Sequence, residues 1–242
     1  MKNTFSVLGV DGCRAGWISV ETNNQLHWNI EMFSTIKDLW KRYSKALLIL
    51  IDIPIGLKDN GPLPRLCDES ARKFLTRKRS SSIFPTPCRL ALSALNYIEA
   101  NEINRSKTGK GLSKQTWNIT DKIKEVDKLL RNNMKAQNIF IESHPEACFA
   151  ALNESPLQYY KKTDEGIRER LSILKKYYKD IKSHVRKVIE LYNNRVLEVD
   201  DILDAWILAV SASRGRSNLR FLPDEFEYDS MGLPMRIAIP RF

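Results

Sequence analysis

Acidic residues at four places far apart in the sequence stand at the ends of predicted buried elements. Asp11 follows one apolar run, Asp52 ends a second, and Glu142 closes a third. Asp201 and Asp204 open a late apolar stretch, and because they are three residues apart one helix face would present both. Crowded carboxylates repel one another and are costly to bury, so such a cluster needs a cation. Oxygen ligands favour Mg²⁺ or Mn²⁺, and we expect these five residues to form a metal centre with a catalytic role.

The chemistry expected of this centre is phosphodiester hydrolysis, since two such ions about 4 Å apart can activate a water and stabilise the leaving oxygen. A shared ion requires the Asp11 and Asp52 carboxyls to lie within about 8 Å of each other. Structural interpretations remain open for most members. Asp11 could form a turn, Glu142 could meet water or a lysine, and Asp200 or Asp201 could cap a helix and interact with its dipole.

The hydrophobic pattern before Asp52 predicts the elements that would position these acids. It predicts three strands, then a short amphipathic helix with Ser34 as its N-cap, then a strand covered on both faces. The turn residues Asn23 and Asn24 suit a hairpin between the second and third strands. The predicted ranges are 5–10, 16–21 and 25–33 for the first three strands, 35–43 for the helix and 46–53 for the fourth strand.

This order of elements fits a ribonuclease H-like fold, in which a β-meander is followed by a crossover helix and a strand parallel to the first. We therefore expect an α/β protein with a mixed five-stranded sheet and helices on both faces, in one domain over residues 1–242. Residues 61–135 are polar, basic and punctuated by prolines, and they predict a mostly helical insertion, with disorder at 101–114. Further predicted elements are a fifth strand at 138–142, helices at 145–152, 166–178, 181–192 and 199–214, and a strand at 235–240.

The net charge is +10, from 39 basic and 29 acidic residues. Residues 65–114 alone hold eleven basic against four acidic residues, so the excess is regional and favours a polyanionic partner. No apolar run is long enough to span a membrane, and the first residues lack a signal-peptide pattern, so we expect a cytoplasmic protein. Its four separated cysteines are expected to be free thiols.

Seven motifs occur in a fixed order along the chain. They are Val10–Trp17, Ile51–Leu57, Arg65–Asp68, Ser82–Arg89, Gly111–Gln115, Glu142–Glu146 and Asp200–Ala205. The ordered set, from about residue 7 to residue 240, resembles family 429 of the domains of unknown function, described as predicted nucleases with a ribonuclease H-like fold.

The resemblance implies that Asp11, Asp52, Glu142 and one or both of Asp201 and Asp204 are metal ligands. It also implies that basic and polar residues of the insertion lie over the site, where arginine and lysine could bind phosphates, or else form a solvated helix face. His144 could shuttle protons or be structural. The implied substrate-binding residues of the insertion are Arg65, Arg72, Arg79, Arg89, Lys114 and Gln115.

The leading hypothesis is an enzyme, a metal-dependent nuclease that hydrolyses phosphodiester bonds in RNA or DNA. A second is phosphotransfer or hydrolysis on a small phosphorylated metabolite, because Asp11-Gly12 with Arg14 is similar to the phosphate loop of actin-like and sugar-kinase folds. Those proteins duplicate the core, whereas 242 residues show no internal repeat. A third hypothesis is a non-catalytic nucleic-acid-binding module.

Overall fold

The central sheet of the protein has five strands in the order β3-β2-β1-β4-β5. It was described in a computed structural model, over residues 6–23, 27–192 and 196–241. Parts of the predicted first strand, third strand and hairpin turn, including Phe5, Asn24 and Gln25, lie outside the described residues. The strands are β1 Val7–Cys13, β2 Gly16–Thr22, β3 Trp28–Phe33, β4 Leu48–Ile51 and β5 Phe140–Glu142.

Strand directions confirm the predicted fold class. β2 pairs antiparallel with both β1 and β3, whereas β1, β4 and β5 run parallel. A helix connects β3 to β4, as expected for a crossover between parallel strands. The protein is therefore an α/β protein with a mixed five-stranded sheet, consistent with a ribonuclease H-like fold.

Helices cover both faces of the sheet. On one face the helix Val199–Ser213, α10, lies so close to β1 that a Cβ on Gly9 would be 2.2 Å from the carbonyl oxygen of Ala205, so only glycine fits there. On the other face Leu39 and Ile123 pack against Val10 in a second core cluster. The helices are α1 Ile36–Tyr43, α2 Leu66–Arg79, α3 Tyr97–Thr108, α4 Lys114–Asn118, α5 Thr120–Arg131, α6 Met134–Ile139, α7 Pro145–Leu152, α8 Asp164–Lys175, α9 Ile181–Tyr192 and α10 Val199–Ser213.

The predicted disorder at 101–114 is wrong, because most of this stretch belongs to or packs on α3. Asn104 is buried, and its side chain accepts from the Cys88 backbone at 2.8 Å and donates to the Lys110 carbonyl at 2.8 Å. The Asn101 side chain accepts from the Leu112 backbone at 2.7 Å. Side-chain amides thus order a segment that has few apolar residues.

Two other details differ from the sequence prediction. Thr35 rather than Ser34 caps α1, since its side chain accepts from the Asp38 backbone. The final strand, β7 Pro234–Pro240, pairs with β6 Leu219–Tyr228 in a separate two-stranded sheet, and β6 was not predicted. Within the described ranges no helix is long and apolar enough to cross a membrane, and all four cysteines are buried free thiols.

Candidate metal centre and its cavity

Asp11 and Asp52 lie side by side because their strands are parallel neighbours. The register of β1 and β4 pairs Val10 with Ile51, so the residue after each is an aspartate at the same edge of the sheet. The Asp52 backbone N–H donates to the Val10 carbonyl at 3.0 Å, which continues the ladder by one bond. The sheet therefore fixes the separation of the two carboxyls.

Asp204 completes the group from the helix that covers the sheet. It lies in α10, whose buried residues face β1, and its carboxylate reaches the same edge. One ligand oxygen from each of Asp11, Asp52 and Asp204 lies within 4.8 Å of the other two. We call these three residues the acidic triad. This separation is well below the 8 Å beyond which two carboxyls can hardly share one cation.

Two members of the acidic triad, Asp11 and Asp52, have strongly raised pKa values. Burial raises the pKa of Asp11 well above its usual range, and the charges of Asp52 and Asp204 raise it further. Burial also raises the pKa of Asp52 to about 7, with Asp204 adding to the rise. Three acids that each disfavour the charge of the others attract either protons or a cation.

Lys161 is the nearest cation of the protein to this group, and sequence reasoning missed it. Its Nζ lies 2.7 Å from Oδ2 of Asp204 and 3.2 Å from Oδ2 of Asp200. Burial lowers its pKa, but the charges of Asp204, Asp11 and Asp200 outweigh burial, so the pKa of Lys161 lies well above its ordinary value. The residue stands in a turn before α8, outside any periodic pattern that would mark it.

The structure does not bring Asp201 into the acidic triad. It is the third residue of α10, and its Oδ2 accepts the Glu198 backbone N–H at 3.0 Å in a capping box. Burial raises the pKa of Asp201 to about 6. Asp201 therefore caps the helix, which is one of the roles that the sequence left open. Its charge still raises the pKa of Asp11.

Glu142 also lies outside the acidic triad, because Arg65 occupies both of its oxygens. Arg65 donates to Oε1 of Glu142 at 2.6 Å and to Oε2 at 2.9 Å, and the Ile55 backbone donates to Oε2 at 2.7 Å. The same guanidinium donates to Oδ1 of Asp68 at 2.6 Å. We call Arg65, Asp68 and Glu142 the arginine cluster. It is almost fully buried, so Arg65 is a structural partner of acids rather than an accessible phosphate ligand.

Several other predicted substrate-binding residues are engaged within the protein. Arg72 donates to the Ile83 carbonyl at 2.7 Å. Arg89 forms an ion pair with Asp127 at 3.0 Å and a second with Asp229, away from the cavity beside the acidic triad. Neither Arg14, exposed in the β1–β2 turn, nor Lys114, at the start of α4, lines that cavity.

A cavity of about 530 Å³ opens beside the acidic triad. Its roof comes from the helical segment between β4 and β5, through residues 81–87 and 115–123, and one wall comes from residues 160 and 161. Among the predicted substrate-binding residues, Arg79, Gln115 and His144 line it, as do Arg65 and Glu142 at its deep end.

His144 and Lys122 add two different polar groups to this cavity. Burial lowers the pKa of His144, so its ring is neutral at pH 7, and Nε2 lies 3.3 Å from the Ser82 carbonyl. Lys122 was missed by the sequence analysis. Its Nζ donates to the Gly16 carbonyl at 2.7 Å and lies 5.0 Å from the centre of the Trp17 ring. Trp17 itself is fully buried, so it is a packing residue.

Comparison with known proteins identifies a family. The family model described as "Protein of unknown function (DUF429)" matches residues 9–228. Neither the curated proteins nor the solved structures include a match to the chain.

Proposed function

The chain belongs to the DUF429 family of proteins of unknown function, and we propose that it is a divalent-metal-dependent nuclease. The observation that carries this proposal is the acidic triad, whose oxygens converge within 4.8 Å at one wall of a polar cavity. Three carboxyls, two buried and one partly buried, share one lysine, and a divalent cation would offset the negative charge that they carry when ionised.

The residues present fit one Mg²⁺ or Mn²⁺ ion. Asp11, Asp52 and Asp204 would supply carboxylate oxygens, the ligands that these hard cations prefer. A bound ion would polarise the phosphate and lower the pKa of a water molecule. Two ions were expected from the sequence, but Glu142 and Asp201 have other partners, so we propose a single ion held by the acidic triad.

The other polar groups of the cavity suit a phosphodiester. Lys161, whose side chain is about one third exposed at 34%, can turn its ammonium from Asp204 to a substrate phosphate. The hydroxyl of Ser81 and the amide of Gln115 can donate to phosphate oxygens. Neutral His144 retains a ring nitrogen that can accept a proton, as a general base requires.

The alternative functions are less well supported. Phosphotransfer by an actin-like phosphate loop would use Arg14, which is exposed and does not line the cavity. A non-catalytic module could keep these acids for a structural metal, but it would not need a cavity that opens beside them. Hydrolysis of a small phosphorylated metabolite is favoured by the size of the cavity, about 530 Å³, and it is the second candidate.

The test is hydrolysis with Mn²⁺ or Mg²⁺ on a panel of RNA, DNA, hybrid and junction substrates, beside Asp11→Asn and Asp52→Asn. We expect cleavage of a nucleic acid by the wild-type protein and its loss in both variants. Glu165→Gln is the matched control, because Glu165 is exposed and pairs only with Arg168 among the contacts described. Cleavage that survives both aspartate substitutions contradicts the proposed site, and turnover of small phosphate esters alone supports the second candidate.

A further inference from the structure

We infer that the cavity takes the end of a single-stranded nucleic acid, one terminal nucleotide at a time, and excludes the interior of a duplex. The inference rests on the proposed function and names its substrate class. It follows from three features of the cavity: the depth of the acidic triad, the chemistry of the walls and the fixed position of the roof.

The depth of the acidic triad sets the first condition. Asp11 is 7% exposed, Asp204 is 3% exposed and Asp52 is partly exposed, so a phosphate must enter the cavity to reach all three. A sphere with the cavity's volume of about 530 Å³ is roughly 10 Å across, and this volume is ordinary for pockets that enclose one small ligand. A duplex is wider, since its major groove alone measures about 12 Å. The reacting phosphate must therefore enter on a narrow, flexible piece of chain.

The walls of the cavity suit both the base and the phosphate of a nucleotide. Phe84, Pro85, Pro87, Ile119 and Tyr160 give apolar surface on which a base can lie, and the Phe84 side chain is 42% exposed. Lys122 and Lys161 contribute positive charge near the acids. Aromatic rings stack with any base without reading its sequence, so this arrangement suits a nucleotide of any identity.

Hydrogen bonds to neighbouring elements hold the 82–87 segment of the roof in place. Thr86 donates to Oδ2 of Asp68 at 3.3 Å, and Thr116 donates to the Pro85 carbonyl at 3.2 Å. Arg72 donates to the Ile83 carbonyl, and the His144 ring lies against the Ser82 carbonyl. Two of these bonds tie the 82–87 segment to α2, one ties it to α4 and one to His144. The roof therefore does not open as a free loop would to admit a duplex.

The charge outside the cavity favours a chain end over a free nucleotide. α2 leads into the roof and carries exposed or half-exposed Lys73, Arg77 and Lys78. Successive phosphates of a strand leaving the cavity would meet this positive charge and gain affinity by releasing counterions. A free nucleotide or small ester has no such phosphates and would gain nothing from this region.

The first experiment compares substrates of one sequence in Mn²⁺: a linear single strand, a covalently closed single-stranded circle, a blunt duplex, and the small diester bis(p-nitrophenyl) phosphate. We expect the linear strand to be shortened one nucleotide at a time, and the circle and duplex to react at least 100-fold more slowly. A circle or duplex cut as fast as the linear strand overturns the inference but leaves the nuclease proposal standing. Turnover of the small diester alone overturns both.

A binding experiment tests the inference even if the protein hydrolyses none of these substrates. Such an absence of hydrolysis would overturn the proposed function. With Ca²⁺ in place of Mn²⁺, a labelled trinucleotide is bound and then displaced by linear or circular competitor. Displacement by the linear strand at concentrations at least tenfold lower supports selection of ends. Equal displacement by both competitors, or by neither, contradicts it.

The second experiment tests the base-binding wall. Phe84→Ala should raise the KM for the linear strand, or its Kd in Ca²⁺, about tenfold, and Phe84→Trp should restore binding because it keeps a ring. Leu95→Ala is the control, since Leu95 is a 90% exposed apolar residue that does not line the cavity. An unchanged KM and Kd in Phe84→Ala would show that the wall does not hold a base.

Discussion

The acidic triad and the arginine cluster are two groups of buried carboxylates at the same edge of one sheet, yet they are balanced differently. In the arginine cluster one guanidinium donates to both Asp68 and Glu142, and the side chains are 1–6% exposed. In the acidic triad one partly exposed lysine contacts Asp204, and the nearby Asp200 shares it. The first group is complete without a ligand, whereas the second retains excess negative charge.

The same difference appears in what perturbs the acids. Burial raises the pKa of Glu142 to about 7, and the charge of Arg65 and its hydrogen bonds oppose that rise. Burial raises the pKa of Asp52 to about 7 as well, but the charge of Asp204 adds to the rise. A carboxylate at a strand end is therefore not a metal ligand by position alone. Its partner decides whether it holds the fold together or has an oxygen available for a cation.

The largest expected effect comes from removing the cation of the arginine cluster. Arg65→Met should lower the free energy of unfolding by about 3–5 kcal/mol, because Glu142 and Asp68 would remain buried without a counter-charge. Urea denaturation followed by circular dichroism measures the loss.

The control for this prediction is Arg168→Met. Arg168 is 70% exposed and pairs with Glu165 on the surface, so its loss should change stability by less than about 0.5 kcal/mol. If Arg65→Met lowered the free energy of unfolding no more than Arg168→Met does, the arginine cluster would not differ from a surface ion pair. The contrast between the arginine cluster and the acidic triad would then be wrong.

The next effect in size concerns hydrolysis. Asp52→Asn should reduce metal-dependent cleavage by at least about 100-fold, because the amide keeps the shape of the side chain but removes a charged ligand. In metal-free protein the same variant should be at least as stable as the wild type, since it relieves repulsion with Asp204. Glu142→Gln should show the opposite sign and lose stability, because it weakens the ion pair with Arg65.

The prediction is checked by initial rates and by thermal unfolding in EDTA, on the same preparations. A metal-free Asp52→Asn variant that unfolds well below the wild type would place Asp52 with the structural acids and remove the contrast between the two groups.

Sequence reasoning could predict the sheet and all three triad members, Asp204 from its place on an apolar helix and Asp11 and Asp52 from their strands. Continuous apolar runs predict buried parallel strands, and parallel neighbours end at one edge, so Asp11 and Asp52 had to be close. The same reasoning placed Glu142 beside them, and its strand does end there. Its partner Arg65 is 77 residues away in the sequence, and no periodicity links the two.

The features that were missed lack a local pattern. Lys161 lies in a turn, where neither helical nor alternating spacing applies. β6 contains Pro223 followed by charged residues, a composition that argues against a strand in sequence terms, and it is tolerated because β6 pairs on one side only. Pairing partners and ion pairs over long separations are set by the fold, so they become visible only once it is known.

A third prediction uses pH. The pKa of Asp52 is raised by burial and by Asp204 to about 7, so between about pH 4 and pH 7 the folded protein binds more protons than the unfolded chain. Metal-free stability should therefore fall as pH rises through this window, by about 1–2 kcal/mol from pH 5 to pH 8. Mn²⁺ should restore stability at pH 8 and do little at pH 5, where protons occupy the carboxylates.

Unfolding free energies at the two pH values, with Mn²⁺ and with EDTA, measure this effect. Burial raises the pKa of Glu142 too, although Arg65 opposes the rise, so Glu142→Gln should also reduce the pH slope in EDTA. Only Asp11→Asn and Asp52→Asn should abolish the response to Mn²⁺. A response to Mn²⁺ that persists in both would locate the ion elsewhere.

The smallest expected effect tests whether the Lys161 ammonium occupies the position that the metal ion would take. Its ammonium lies 2.7 Å from Asp204, so an incoming ion must displace it, and Lys161→Met should bind Mn²⁺ roughly fivefold more tightly, equivalent to about 1 kcal/mol. The same variant should cleave more slowly, because the lysine would no longer reach the substrate phosphate. Lys162→Met is the matched control, since Lys162 is the next residue, is 51% exposed and pairs with Glu198.

Isothermal titration with Mn²⁺ and initial rates on one substrate separate the two roles of this lysine. Opposite changes, tighter metal binding with slower cleavage, are expected only of a cation that leaves the acids when the ion arrives. If Lys161→Met binds Mn²⁺ no better than Lys162→Met, the lysine does not occupy the place of the ion. The acidic triad would then be balanced from within, as the arginine cluster is, and the difference between the two groups would be one of degree.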